Sequence, residues 1–419
     1  MSGRRRWFAW LGLGLVIAAC QEHLTAPADC PALCPGGTPA IFDTVIDAVV
    51  LADSSFPRAG DPGGGYKDRG KGAALLVSNG LAASEDRAVY RFATRGDSVA
   101  LRDTLRAYTV DSAAIVLNLV ARDTLVNGLK IVLYRLPLPE TVDSARTFAE
   151  IDAQLIDANL IDTIAVPDSV NVGTISTRLI GADVARLGLV PGGDSTLAIG
   201  IRISADAPTG VRLGSLGGGT APSFTSFVTL LDVPDTGATL KPSISRGTVF
   251  NTFLTQNPIL PDDTLLTVGG EPASRALIRF GLPRAFLDSI TVLRATLNLT
   301  PVRPITGLPT DPATITATGV ISDLGAKSVL ANPPVSNVVT QDTLPPVQSD
   351  TVRLEVTTHL KLWQSSALRP QSIFVSLEPE AATFTRAVFF STRSQAPGGG
   401  SVAPRLRLTY QRAFPFENQ

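Results

Sequence analysis

The sequence predicts an all-β protein, two tandem jelly-roll-like antiparallel β-sandwiches placed after an N-terminal leader and a short tether. Three observations carry this expectation. Apolar and polar residues alternate over short runs, clusters of Gly, Pro, Asp-Thr and Asp-Ser interrupt the runs, and the whole set of runs occurs twice. Almost no long helical period remains.

The alternation is plainest where Leu197, Ile199, Ile201 and Ile203 interleave with Ala198, Gly200, Arg202 and Ser204. Ile115, Leu117 and Leu119 share one face of another run, and Leu406, Leu408 and Tyr410 share one face of a third. A period of two with one apolar face is the pattern of a half-buried antiparallel strand. An outer-membrane barrel also alternates, but it carries aromatic girdles. Aromatics are only 6% here, and many outward positions are Arg, Asn or Thr.

The repeat has four landmarks in one order. Leu75 to Gly80 followed by Arg87 to Phe92 resembles Leu265 to Gly270 followed by Arg275 to Phe280. Val116-Leu117-Asn118-Leu119 answers Thr296-Leu297-Asn298-Leu299. Leu197 to Ile203 with Val211 to Ser215 answers Ile373 to Leu377 with Val388 to Ser391, and each half then carries a triple glycine and a last strand. This argues for a tandem duplication. It places one sandwich in residues 41–232, a Pro, Gly and Thr-rich linker in 233–242, a second sandwich in 243–412 and a tail in 413–419.

The first residues read as an export signal. Arg4, Arg5 and Arg6 precede the apolar run Trp7 to Ile17, and Ile17-Ala18-Ala19-Cys20 matches a lipobox. The run is too short for a membrane span, which needs roughly 20 apolar residues. Residues 1–19 are therefore expected to be a lipoprotein signal peptide, with Cys20 acylated and the bilayer as the first partner. Gln21 in place of Asp favours the outer membrane of a two-membrane bacterium, the face being undecided. Residues 20–40 form the lipidated tether. In an oxidising compartment a local disulfide between Cys30 and Cys34 is expected, since zinc wants four ligands and only His23 lies near. A formal charge of −1 gives no field for nucleic acid.

The order of landmarks resembles the DNRLRE domain family, a jelly-roll-like β-sandwich of exported bacterial proteins related to carbohydrate-binding modules. Arg279-Phe280, Leu293 to Leu299, Thr357 to Trp363, Phe390-Ser391 and Pro404 to Tyr410 carry the likeness in the second half. Arg91-Phe92, Asp111 to Leu119, Leu213 to Ser215 and Pro222 to Leu230 carry it in the first, which has no tryptophan where Trp363 stands. Neither half has the family's Trp-Glu pair. The resemblance implies a sandwich and, through the family's relatives, a bound polysaccharide.

Groups for catalysis are few. His23 lies in the tether, so a general base or triad histidine would have to be His359, and no Gly-x-Ser-x-Gly elbow surrounds a serine. Most aspartates precede Thr or Ser, as at Asp103-Thr104 and Asp162-Thr163, which is turn chemistry. Trp363, flanked by Leu360 and Leu362, is expected in the core or as a lid. The stretch Arg58 to Lys71 is expected to be a solvent-facing loop. Tyr66 would stack on a sugar, and Lys67, Arg69 and Lys71 would pair with uronate carboxylates. The corresponding loop of the second half offers Asp262 and Asp263 as weak candidates for a structural calcium; no other cofactor is expected.

These readings converge on an exported, membrane-anchored lipoprotein that is not an enzyme. It acts as a binding or adhesion module, plausibly for an acidic polysaccharide. The alternatives are a structural lipoprotein contacting another envelope protein through a flat apolar patch and, behind it, a β-sandwich polysaccharide lyase or hydrolase.

Overall fold

The computed structural model describes residues 40–412 except 47–49, 57–67, 82–83, 95, 97, 102–103, 138–141, 190–195, 232–241, 260, 332–338 and 395–401. Cys20, Cys30, Cys34, Tyr66 and Lys67, together with the leader, tether, linker and tail, lie outside the described residues. The described chain is mostly strand, arranged in antiparallel sheets that enclose two large apolar cores. None of its helices is long and apolar enough to cross a membrane.

In the first module Ser84–Phe92 is central. It pairs with Ala198–Ser204 on one side and Ser243–Thr255 on the other. Beyond Ala198–Ser204 the sheet continues through Lys130–Arg135 to Leu160–Ala165. The sheet is continuous, because Ser84–Phe92 also pairs with Ala74–Leu81. From there it runs through Thr209–Gly214 to the long strand Thr104–Arg122, which pairs with Ser223–Leu230 and Gly173–Ile180 and faces the first strands. Leu75, Tyr90, Phe92, Ile115, Phe224 and Phe253 fill the space between the layers. The Tyr90 hydroxyl, buried among them, donates to the Gly214 carbonyl at 2.8 Å, as a buried polar group must.

The second module repeats the plan. Arg275–Phe280 pairs with Val50–Phe56 and Ser372–Glu378, and the layer extends to Ala313–Ser322 and Val339–Leu344. Facing it are Ile41–Ile46, Arg405–Arg412, Ile290–Leu299 and Val352–Glu355 in that order. The helix Thr357–Ser365 closes one end, and Trp363, 2% exposed, packs on Phe280 with ring centroids 5.3 Å apart.

The strand pairing corrects the expected domain limits. Ile41–Ile46 and Val50–Phe56, at the start of the first half, complete the second module by pairing with Arg405–Arg412 and Arg275–Phe280. Ser243–Thr255, at the start of the second half, completes the first module in the same manner. Its residues 243–247 pair with Ser223–Leu230 and its residues 248–255 with Ser84–Phe92. The limits 41–232 and 243–412 mark the repeat units, but the folded modules are residues 68–255, and 41–56 with 264–412. The reason is physical. An opening strand has no tight turn tying it to a neighbour, so it joins whichever equivalent edge it can complete, and an unpaired edge is costly in either module.

Candidate functional site

The strand Ser243–Thr255 also floors a groove beside the residues expected to bind a ligand. Asp68 to Lys71 form a short turn closed by the Lys71 amide on the Asp68 carbonyl at 2.9 Å. That turn lies directly on the strand, since Asn251 Nδ2 donates to the Gly70 carbonyl at 2.9 Å. A Cβ on Gly70 would come within 2.4 Å of the Asn251 carbonyl oxygen, so only glycine permits this approach.

The opposite wall is Ser144 and Arg146, in the segment that leads into the helix Phe148–Asp152. Thr147 and Glu150 form a reciprocal capping box at its start, and these bonds hold the Glu150 carboxyl below its ordinary range. Arg146 Nη1 lies 3.4 Å from Glu150. Arg87 anchors the same helix through Asp152 at 2.8 Å, with its guanidinium 5.2 Å over Phe148. Between the walls lies a hollow of about 660 Å³ lined by Lys71, Arg146, Val249, Phe250 and their neighbours. It runs on into a second hollow of about 660 Å³ that shares Arg69, Arg146 and Leu254. Two cations thus stand above an apolar floor.

The structure separates the predicted ligand residues. Lys71 is exposed and, among the described residues, pairs with exposed Asp68 at 3.0 Å. Arg69, expected in solvent, turns inward instead. Its guanidinium sits 5.6 Å over the Phe253 ring, and burial pushes its pKa down while Glu271 and Asp86 oppose the change. It brings a positive charge toward Asp86 and Glu271, whose charges in turn favour its protonated form.

Those carboxylates were not singled out from sequence. Asp86 is fully buried and accepts from Ser78 Oγ at 2.6 Å and Thr255 Oγ1 at 2.7 Å; Thr255 Oγ1 also lies 3.1 Å from Glu271 Oε2. Burial first, then the Asp86 charge and their mutual hydrogen bond, push the Glu271 carboxyl well above its ordinary range. A glycosidase keeps its carboxyl groups about 5–9 Å apart with the sugar between them. Asp86 and Glu271 instead crowd about the one Thr255 hydroxyl, which leaves no such place.

The remaining candidates are bound up in structure. Asp262 Oδ1 accepts from the Thr264 amide and hydroxyl, each at 2.7 Å, which lowers its pKa and makes it a turn residue. Among the described residues no group of three or more His, Cys, Asp or Glu side chains converges on a metal-sized site, at Asp262 and Asp263 or elsewhere. His359 is fully buried beneath the helix Thr357–Ser365, and burial pushes its pKa down to about 4, so it is neutral at pH 7. No side-chain partner reaches its ring nitrogens among the described residues. Sequence reasoning also missed Arg146 and Phe250. Arg146 was hidden because its loop is remote in the chain, Phe250 because the strand carrying it was assigned to the other module.

Against known proteins the chain matches no family model, and no curated protein aligns with it at a significant level.

Proposed function

We propose that the protein is an exported, acyl-anchored lipoprotein that binds acidic polysaccharide without cleaving it. The observation that carries the reading is the groove between Asp68–Lys71 and the segment carrying Ser144 and Arg146, where Lys71 and Arg146 flank a floor that includes Phe250 and Val249. Sugar rings present apolar faces to such a floor, and uronate carboxylates pair with the flanking cations. An open groove also suits a chain better than a small enclosed substrate. The neutral, core-bound His359 and the crowding of Asp86 and Glu271 about the Thr255 hydroxyl support a role without chemistry. The likeness to DNRLRE domains points the same way, and the lipobox at Cys20 supplies the anchor.

The test is a glycan array weighted toward acidic polysaccharides, probed with the chain from Ala40 onward. Wild type binds uronate polymers and ignores neutral ones, and Lys71→Ala and Arg146→Ala each weaken binding roughly three- to tenfold, more at low salt. Retention on neutral polymers, or no retention on any glycan, contradicts the reading.

A further inference from the structure

The outer face of the sheet Ile41–Ile46, Arg405–Arg412, Ile290–Leu299 and Val352–Glu355 carries a second, differently built hollow. On the inner face of these strands Leu297, Leu299, Leu354, Leu406 and Leu408 enter the core. Alternation therefore sends their neighbours outward. The register sets them in rows. Asn298 lies between Arg405 and Arg353, Thr296 between Arg407 and Glu355, and Thr409 between Asp43 and Arg294.

The hollow among them is about 380 Å³, within the range of small-molecule sites, and every one of its lining residues is polar. Its charges are unevenly satisfied. Arg407 pairs with Asp43 through two bonds, of 3.0 and 2.6 Å, and Arg294 pairs with Glu355 at 2.9 Å. Arg353, exposed beside them, has no carboxylate partner among the described residues. The Oδ1 of Asn298, its cross-strand neighbour, is buried and accepts no hydrogen bond among the described residues. A buried acceptor without a donor is a cost that a bound group can remove.

A ligand that satisfies both needs carries one anionic group and at least one hydroxyl donor a few ångströms away. It must also tolerate Asp43 and Glu355, which repel a dianion but accept from hydroxyls. A hexuronate ring meets these terms, with a single carboxylate and several hydroxyls on one rigid frame. A phosphate or a densely sulfated sugar does not. We propose that this hollow is a uronate-binding site, with Arg353 on the sugar carboxylate and Asn298 accepting from a ring hydroxyl. The inference rests on the acidic-polysaccharide reading and gives it a second contact, on the other module. One polymer engaging both sites would gain avidity by linkage alone.

The experiment is calorimetric titration of the full chain, in detergent micelles, with hexamers of galacturonic acid and of mannuronic acid, and with their carboxyl-reduced neutral forms. Two hexamers are expected per wild-type chain for at least one of the two acids. Arg353→Gln and Asn298→Ala should each remove one of the two, or weaken it roughly tenfold, leaving the other intact. Both positions are on the sheet surface, and the thermal transition confirms folding. Should both variants bind as wild type while Lys71→Ala loses binding, the second site is wrong and the groove stands. Absence of any uronate binding overturns both. Inorganic phosphate competing at the Arg353-dependent site would assign the hollow to a different anion and overturn the uronate proposal.

Discussion

Asn251 and Asp53 hold equivalent places in the two modules, and each reaches its place from the opposite half of the chain. Asn251 Oδ1 accepts from the Leu216 amide at 2.8 Å, and Asp53 Oδ2 accepts from the Thr392 amide at 2.7 Å. Each amide follows a buried serine that bonds alike. Ser215 Oγ donates to the Gly72 carbonyl and Ser391 Oγ to the Thr264 carbonyl, both at 2.6 Å. The correspondence between the modules thus extends to single polar contacts, and both contacts cross between halves. Neither half closes its own sandwich; the two opening strands are exchanged.

The groove depends on this exchange, because its floor is the traded strand Ser243–Thr255. Gly70→Ala tests the seat of the Asp68–Lys71 turn on that floor. The added methyl would meet backbone, the Asn251 carbonyl oxygen at 2.4 Å, which cannot rotate away. The variant is expected to lose about 1–3 kcal/mol of stability. It should also weaken binding at the groove, as read by thermal denaturation and by the glycan array. An unchanged melting temperature would show that the turn is not held where the Asn251–Gly70 bond puts it.

The fold class was legible because a half-buried strand writes its orientation into its own residues. Leu406 and Leu408 are buried while Arg407 between them is exposed. Partner choice was not legible. Backbone hydrogen bonds are the same for either equivalent edge, so nothing within Val50–Phe56 names Arg275–Phe280 rather than Ser84–Phe92. The site was legible only in part for the same reason. A cation in a Gly-rich loop reads as exposed, and Arg69 turns inward because Glu271 arrives from the other half. Trp363 was recognisable as buried from its apolar neighbours alone.

Glu271 makes stability depend on pH in a defined direction. Its folded pKa is raised above the ordinary 4.5 by burial and by Asp86, with Thr255 and Arg69 opposing. Folding therefore takes up a proton. The contribution is complete below about pH 4.5 and is lost as pH rises through the raised folded value. Glu271→Gln keeps a neutral donor toward Asp86 and should flatten this decline. Urea denaturation of both proteins, followed as pH rises from the ordinary carboxyl value upward, measures it, since the raised Glu271 carboxyl loses its proton above that value. Parallel curves would mean that Glu271 is already ionised in the folded protein.

Trp363→Ala removes the ring that packs on Phe280 beneath the helix Thr357–Ser365. A loss of about 3–5 kcal/mol is expected from the cavity. The groove of the first module lies elsewhere, so its binding should persist in whatever fraction remains folded. Denaturant midpoints and glycan binding, measured together, separate the two effects. A variant as stable as wild type would contradict the core position of Trp363.

The exchange of opening strands is tested most directly by disulfide trapping in a chain beginning at Ala40, which contains no natural cysteine. Val45 stands opposite Arg407, and Ser245 stands opposite Thr225 at the equivalent place in the first module. With exchanged strands, Val45→Cys with Arg407→Cys should oxidise to an intramolecular crosslink, whereas Val45→Cys with Thr225→Cys should not. Crosslinking of the second pair without the first would contradict the exchange and return each opening strand to its own half.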